Sequence, residues 1–413
     1  MTEPRQPLAP TIDELRAFAP DWCIFWPGDV SPSQFAIWRP YLERSRFRYL
    51  VMARGGRVRD GERAAIAALP NCLAMEATDE SARWLKGVPN FRGFLYVLGF
   101  KPATFTNVNT FRNQAHVWIA HGESEKLSSS PRSASIYDAI FIARYRGLRR
   151  FPRAIRPWLR RTACAIGAPI LGGAVADPWR EPRPIQTILY ASTWEGYSDH
   201  TNYSSMVDVA PALAAALPEL RDRGVRVIVR PHPLNGRRVP ALAAALNELI
   251  AAGAERGTDK AADFAASDLI ITDVSGVNTE YLFTRKPSLM PVLSQLKAVG
   301  RTRAEFARDH PWAYQWDPRT EPLLDRLAQL ERSDPLRDRR EAAARALFRG
   351  HTSIDEAVRT FDLALGATWF RRTPIPVRWA FEVARVIGPA PRLVGLARRV
   401  LRVSGFGRRV AST

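Results

Sequence analysis

The feature that most constrains this chain is a repeated alternation of short apolar, β-rich runs with helical stretches. "WCIFW" (22–26), "FRYLVMA" (47–53), "CLAME" (72–76), "FLYVLGF" (94–100), "VWIA" (117–120) and "AIFIA" (139–143) have strand composition. Between them lie "PSQFAIWRPYLERS", "DGERAAIAALP" and "DESARWLKG", which have helical composition. Strands that are apolar throughout and separated by helices specify a largely parallel sheet covered on both faces. The alternation pauses at "GAPILGGAVADPWREPRPIQ" (167–186), a Gly/Pro-rich linker, and then restarts.

In the second set, "TILYAS" (187–192), "VRVIVR" (225–230) and "DLIIT" (268–272) are strands. "MVDVAPALAAALPELRDRG" is helical but interrupted by Pro211 and Pro218, and "VPALAAALNELIAAG" and "GVNTEYLFTRK" are helices. The expected fold is α/β, with two Rossmann-like domains facing across a cleft. Their expected extents are 1–175 and 176–350, followed by a C-terminal helix and basic tail over 351–413. In that last part "SIDE" (353–356) fits a capping box that starts the helix "IDEAVRTFDLALG".

Length and composition agree with two cores and narrow the setting. The chain has 413 residues, 46% of them hydrophobic, and no run of about 18 uncharged apolar residues that would span a membrane. The first residues are polar and lack the apolar stretch of a signal peptide, so a cytoplasmic protein is expected. Cys23, Cys72 and Cys164 are scattered and odd in number, against a disulfide framework or a cysteine zinc site.

The net charge of +19 points to anionic partners, and it is unevenly distributed. "RYRGLRRFPRAIRPWLRR" (144–161) holds eight arginines and no acid; residues 369–413 hold ten, opposed only by Glu382. In the tail, Leu393, Leu396, Val400 and Val403 share one helical face, with arginines elsewhere and Trp369, Phe370, Trp379 and Phe381 nearby. Such a helix suits an anionic membrane surface, through which the protein would associate with the inner face of the cell membrane. A helix packed back on the protein is the competing reading.

Four stretches carry candidate chemistry. In "WIAHGESEK" a strand ends at His121, Gly122 lets the backbone turn, and Lys126 follows. Ligands of doubly wound sheets bind at strand carboxyl ends, which is where His121 falls and where a general base would sit. His116, on the same strand, is read as structural. In "VIVRPHP" Arg230 and His232 end a strand, with Pro231 and Pro233 restraining the histidine. An arginine fork and an imidazole N–H both suit phosphate oxygens. In "SDLIITDVSGVNTEYL" a buried strand leads to Asp273, Ser275 and Gly276 at a helix start, a backbone cradle for phosphate, and Glu280 is placed to accept from a ribose hydroxyl. In "ILYASTWEG" Thr193 is placed to contact a phosphate beside Trp194. Each stretch alone also fits an ordinary turn or capped helix. Together they suit a nucleotide-diphosphate donor in the second domain and an acceptor in the first.

"HGESEK", "ILYASTW", "RPHP" and "SDLIITDVSGVNTEYLFTRKPSL" occur in the order found in the CDP-glycerol glycerophosphotransferase family of teichoic acid primases and polymerases, which the chain resembles over roughly residues 90 to 350. The resemblance implies a GT-B fold and transfer of glycerol phosphate from CDP-glycerol to a hydroxyl of a membrane-anchored acceptor, with release of CMP. It matches His121 and His232 to the family's motif histidines and Lys126 to its lysine. Where the family has Thr-Pro-Leu in the first block this chain has Glu123, Ser124 and Glu125. Where it has Tyr-Ser-Ser in the last, this chain has Val274, Ser275 and Gly276.

The expected function is therefore this transfer in synthesis of a teichoic-acid-like or capsular surface polymer. His121 and His232 are the expected catalytic residues, His121 as the base and His232 at the donor phosphates; Gly122, Lys126, Thr193, Arg230, Asp273, Ser275, Gly276 and Glu280 are expected to bind substrate. The expected partners are CDP-glycerol, a lipid-linked polyol-phosphate or glycan acceptor, and an anionic membrane; no cofactor and no metal are expected. A GT-B glycosyltransferase using a nucleotide sugar is the nearest alternative. A non-enzymatic nucleic-acid-binding protein, motivated by the charge, is disfavoured because it leaves the four strand-end motifs unexplained.

Overall fold

The computed structural model describes residues 10–99, 101–120, 132–170, 179, 181–294 and 302–372. His121, Gly122, Lys126 and the basic tail beyond residue 372 lie outside the described residues, as does part of the 167–186 linker.

Two separate parallel sheets form. The first contains β1 (Trp22–Pro27), β2 (Tyr49–Arg54), β3 (Cys72–Ala77), β4 (Gly93–Tyr96), β5 (Ala115–Trp118), β6 (Ala139–Ile142) and β7 (Ala163–Ala165), in the order β3-β2-β1-β4-β5-β6-β7. The second contains β8 (Thr187–Ala191), β9 (Arg226–Val229), β10 (Glu255–Arg256), β11 (Leu269–Thr272), β12 (Ser288–Pro291) and β13 (Tyr314–Trp316), in the order β10-β9-β8-β11-β12-β13. In both sheets the order reverses between the first and fourth strands, the doubly wound pattern.

Alternation along the strands explains why both faces are buried. Cys23, Phe25, Leu50, Met52, Phe94 and Tyr96 enter one core, while Trp22, Ile24, Trp26, Val51 and Leu95 enter another. The second sheet divides likewise, with Ile188, Tyr190 and Ile271 on one side and Leu189, Ala191 and Ile270 on the other.

Helix Met206–Asp222 runs unbroken through Pro211 and Pro218. Both prolines are exposed, so water can serve the carbonyls that lose their N–H partners, while Met206, Val209, Leu213, Leu217 and Leu220 bury the opposite face. The last helix among the described residues, Ile354–Arg372, extends past the expected stretch. Ser353 caps it by accepting from the Glu356 N–H at 3.3 Å, but the Glu356 carboxylate reaches one residue further back than a capping box requires, to the Thr352 N–H at 2.7 Å.

That helix returns to the first domain. Phe361 packs against Trp38, Tyr41 and Phe141 with ring centroids 5.5, 5.5 and 5.7 Å away. Asp362 accepts from Ser45 Oγ at 2.6 Å and from the Arg46 N–H at 3.0 Å. The same core takes in Val274, Leu282, Met290 and Trp312 from the second domain, so it continues across the junction.

Candidate active site

Strands β9, β8 and β11 are neighbours, with Tyr190 level with Val229 on one side and Ile271 on the other. Their carboxyl-end loops, 192–205, 230–239 and 273–276, therefore emerge side by side, next to the point where the strand order reverses. This is where doubly wound sheets bind ligands. Thr193, Arg230, His232, Asp273, Ser275 and Gly276 all stand on these loops.

Asp273 ties two loops together. Its buried carboxylate accepts from the Thr193 N–H, at 3.0 Å to each oxygen, and from both the N–H and the Oγ of Ser205 at 3.0 Å. A buried carboxylate that accepts from several donors fixes the groups it holds. The neighbouring Tyr190 phenol, 3.1 Å from Ser205 Oγ, is kept protonated by burial first and by the Asp273 charge second. In this arrangement Asp273 organises Thr193 and the loop beyond it.

His232 is held by four contacts. Its N–H donates to the Ser192 carbonyl at 3.1 Å, and its carbonyl accepts from the Asn235 N–H at 2.8 Å, closing a turn. Its Nδ1 accepts from the Leu234 N–H at 3.1 Å. The ring lies against Trp194, centroids 6.0 Å apart and planes inclined by 21°. Because Nδ1 is an acceptor, the neutral imidazole carries its proton on Nε2 and presents that atom as a donor.

Beneath this turn sits Glu195, which sequence reasoning passed over although it lies inside "STWEG". The side chain is fully buried and accepts from the backbone N–H groups of Gly236, Arg238 and Val239 at 3.1, 2.5 and 3.0 Å. Burial acts to raise its pKa, but the converging backbone donors outweigh it and hold the carboxyl below the ordinary value. The loop also needs Gly236: its φ is +78°, and a Cβ there would stand 2.5 Å from the Ala243 Cβ. An acid between a buried strand end and a glycine is the signal that would have singled out Glu195.

Two further expected ligands are engaged in ion pairs. Arg230 donates from Nη1 to Asp263 at 2.6 Å, which fixes the guanidinium through one of its five N–H groups. Glu280, buried in the helix Gly276–Tyr281, accepts from Lys260 Nζ at 2.7 Å. Neither Asp263 nor Lys260 was singled out by the sequence. Ser275 precedes the helix with extended backbone, and its Oγ makes no capping bond but lies 3.4 Å from Thr272 Oγ1.

In the first domain the described chain reaches Ala120, just past β5. The Ala120 N–H donates to the Tyr96 carbonyl at 3.2 Å, and its carbonyl accepts from the Trp38 indole at 2.9 Å. His121, Gly122 and Lys126 follow from this fixed point. His116 is structural: it is buried, with Nδ1 2.8 Å from the Tyr96 hydroxyl and Nε2 2.9 Å from the Phe111 carbonyl.

Two doubly wound domains, ligand-type loops at the carboxyl edge of the second, and the helix Ile354–Arg372 crossing back to the first define a GT-B-type protein. Residues 181–297 match the family model described as CDP-glycerol:poly(glycerophosphate) glycerophosphotransferase, a segment that holds all three loops. Over those residues the chain is similar to enzymes of the CDP-glycerol glycerophosphotransferase type. Among solved structures it is similar to the wall teichoic acid polymerase TagF, with TM-score 0.53, 15% identity and coverage of 86% of this chain and 90% of that one. A TagF variant soaked with CDPG gives TM-score 0.53, 15% identity and coverage of 85% and 89%. A putative UDP-N-acetylglucosamine 2-epimerase from Listeria monocytogenes gives TM-score 0.55, 12% identity and coverage of 86% and 98%. At these identities the likeness concerns the fold. No curated protein sequence matches the chain at a significant level.

Proposed function

We propose that this enzyme transfers glycerol phosphate from CDP-glycerol to a hydroxyl of a membrane-linked acceptor, in synthesis of a teichoic-acid-like or capsular polymer, and releases CMP. The observation that carries the reading is that the glycerophosphotransferase match over 181–297 coincides with the three loops at the carboxyl edge of β9, β8 and β11.

The acceptor oxygen attacks the phosphorus that bears glycerol, and the bond from that phosphorus to the oxygen bridging it to the CMP phosphate breaks. The acceptor proton passes to His121 as general base, with Gly122 and Lys126 shaping that side. The bridging oxygen leaves on CMP with a developing negative charge. His232 Nε2–H, the Arg230 fork and the amides around Ser275 and Gly276 stabilise that charge. Asp273 holds Thr193 in place for a phosphate contact, and Glu280, steadied by Lys260, receives the ribose. The basic tail keeps the enzyme at the inner face of the membrane, where such an acceptor is anchored.

Incubation with CDP-glycerol and a lipid-linked acceptor tests this directly. The expected product is the acceptor heavier by one or more glycerol phosphate units, with an equal amount of CMP. His121→Ala is expected to abolish turnover while CDP-glycerol still binds. Near-normal turnover in that variant rejects the base assignment.

The fold alone also accommodates a nucleotide-sugar enzyme, as the epimerase likeness illustrates. Comparing CDP-glycerol with a panel of nucleotide sugars, with nucleotide release as readout, separates the two readings.

A further inference from the structure

The described surface holds a second site with its own chemistry. Just past β6, the turn Tyr145–Arg150 and the helix Arg156–Thr162 enclose a half-open cavity of about 610 Å³, lined by Tyr145, Arg146, Leu148, Arg149, Arg156 and Arg160. Four of its six lining side chains are guanidinium groups.

Arg156 is fixed in advance: its Nε donates to the Phe151 carbonyl at 2.7 Å and its Nη2 to the Arg149 carbonyl at 2.5 Å. Arg146, Arg149 and Arg160 are exposed, and among the described residues no carboxylate pairs with them. Arg156 and Arg160 are four residues apart on one helix face. Leu148 packs into the core and anchors the turn that carries Arg146 and Arg149.

Four like charges around one concavity repel one another, and nothing in the fold of the described residues neutralises them. A single monoanion would offset only part of that charge. A diphosphate or closely spaced phosphodiesters offer several negative charges and several planar pairs of oxygens, matching several arginine forks at once.

Position in the sheet assigns the side. β6 lies beside β5, with Val117 level with Ala139 and Trp118 level with Ile140, so the chains leaving their carboxyl ends are adjacent. One leads to the arginine pocket and the other to His121. The geometry points to a phosphate subsite for the acceptor: the pocket binds a multiply charged phosphate group of the molecule whose hydroxyl is to be extended. Its assignment to the acceptor rests on the transfer reading above; its selectivity for a multivalent phosphate does not.

The test uses the full chain, with inorganic pyrophosphate as probe and saturating CDP present to occupy the donor side. The variants are Arg149→Gln/Arg160→Gln and Arg149→Lys/Arg160→Lys. Thermal unfolding serves as fold control, since neither side chain supports the structure. Calorimetry is expected to show pyrophosphate bound by the wild type, at least about tenfold more weakly by the glutamine pair, and in between by the lysine pair, which keeps charge but loses the planar fork. With a phosphate-bearing acceptor, KM for the acceptor rises in the glutamine pair while KM for CDP-glycerol stays unchanged.

Equal pyrophosphate affinity in all three proteins overturns the proposal. So does loss of binding to phosphatidylglycerol vesicles with unchanged pyrophosphate binding, which would make this face a diffuse membrane contact. If no protein transfers glycerol phosphate but the pyrophosphate series behaves as expected, the transfer reading fails and the multivalent-phosphate site stands.

Discussion

His232 and Glu195 show how a single loop is specified atom by atom. With Nδ1 accepting from the Leu234 N–H, Nε2 is the ring nitrogen that carries the proton of the neutral imidazole. A glutamine side chain places its amide nitrogen close to the Nε2 position, whereas asparagine places it near Nδ1. If His232 acts as a donor, His232→Gln should retain kcat within about tenfold of the wild type and His232→Asn should fall by about 10²–10³-fold, the usual loss on removing one charge-stabilising donor. Equal, severe losses in both would indicate that proton transfer is required. Glu195 acts one layer below. Glu195→Ala strips the acceptor from three backbone N–H groups, at a cost of about 1–3 kcal/mol. It should lower the unfolding temperature and weaken CDP-glycerol binding together; unchanged values for both would remove Glu195 from this role. Its carboxyl titrates below the ordinary value of 4.5, so the stabilisation it provides is fully present above that pH and is lost as pH falls through the lower folded value. The stability gap between wild type and Glu195→Ala should therefore narrow as pH drops below about 4.5.

Among elements, the central strands were legible because a strand buried on both faces must be apolar throughout, as "WCIFW" and "DLIIT" are. The strands that escaped notice are short or mixed: "ACA", "ER", "SLMP" and "YQW" contain too few residues to show a period, and β10 is exposed at both of its positions. Helix Met206–Asp222 escaped in part because its two prolines suggested breaks, whereas their exposure makes them tolerable. The site followed the same rule. His232, Arg230, Asp273 and Ser275 stood out because strand ends followed by Pro or Gly are visible locally. Asp263, Lys260 and Ser205 did not, because what makes each matter is a partner 20 to 68 residues away. The crossing helix Ile354–Arg372 illustrates the element scale energetically. Burial raises the Asp362 pKa, against the bonds from Ser45 and Arg46, so this group's contribution to stability is greatest below the ordinary value of 3.8 and declines as pH rises through the raised one. Asp362→Ala leaves the Arg46 N–H and Ser45 Oγ without this acceptor and should cost about 1–3 kcal/mol at neutral pH. Asp362→Asn should cost less, since its Oδ1 can keep the Arg46 bond while its amide donates to Ser45 Oγ. Calorimetric unfolding at pH 7 checks the order; an asparagine variant less stable than the alanine one would contradict it.

For the whole molecule, the continuous core under the junction and the returning helix hold the two domains together, while the proposed chemistry divides between them: donor on the second, base and acceptor on the first. In the proposed reading the tail contributes attachment. Because Ile354–Arg372 packs on the first domain, the informative truncation removes residues 373–413 and leaves that helix intact. It should abolish binding to anionic liposomes and leave transfer to a water-soluble acceptor within a few-fold of the full chain; unchanged liposome binding would refute the attachment role. In the proposed reading the three loops of the second domain bind CDP-glycerol as phosphate donor. Its most direct test is product analysis after incubating the wild-type enzyme with CDP-glycerol and a lipid-linked acceptor, beside a parallel series of nucleotide sugars. CMP release and an acceptor extended by glycerol phosphate are expected with CDP-glycerol alone. Extension by a sugar, with none from CDP-glycerol, would contradict it.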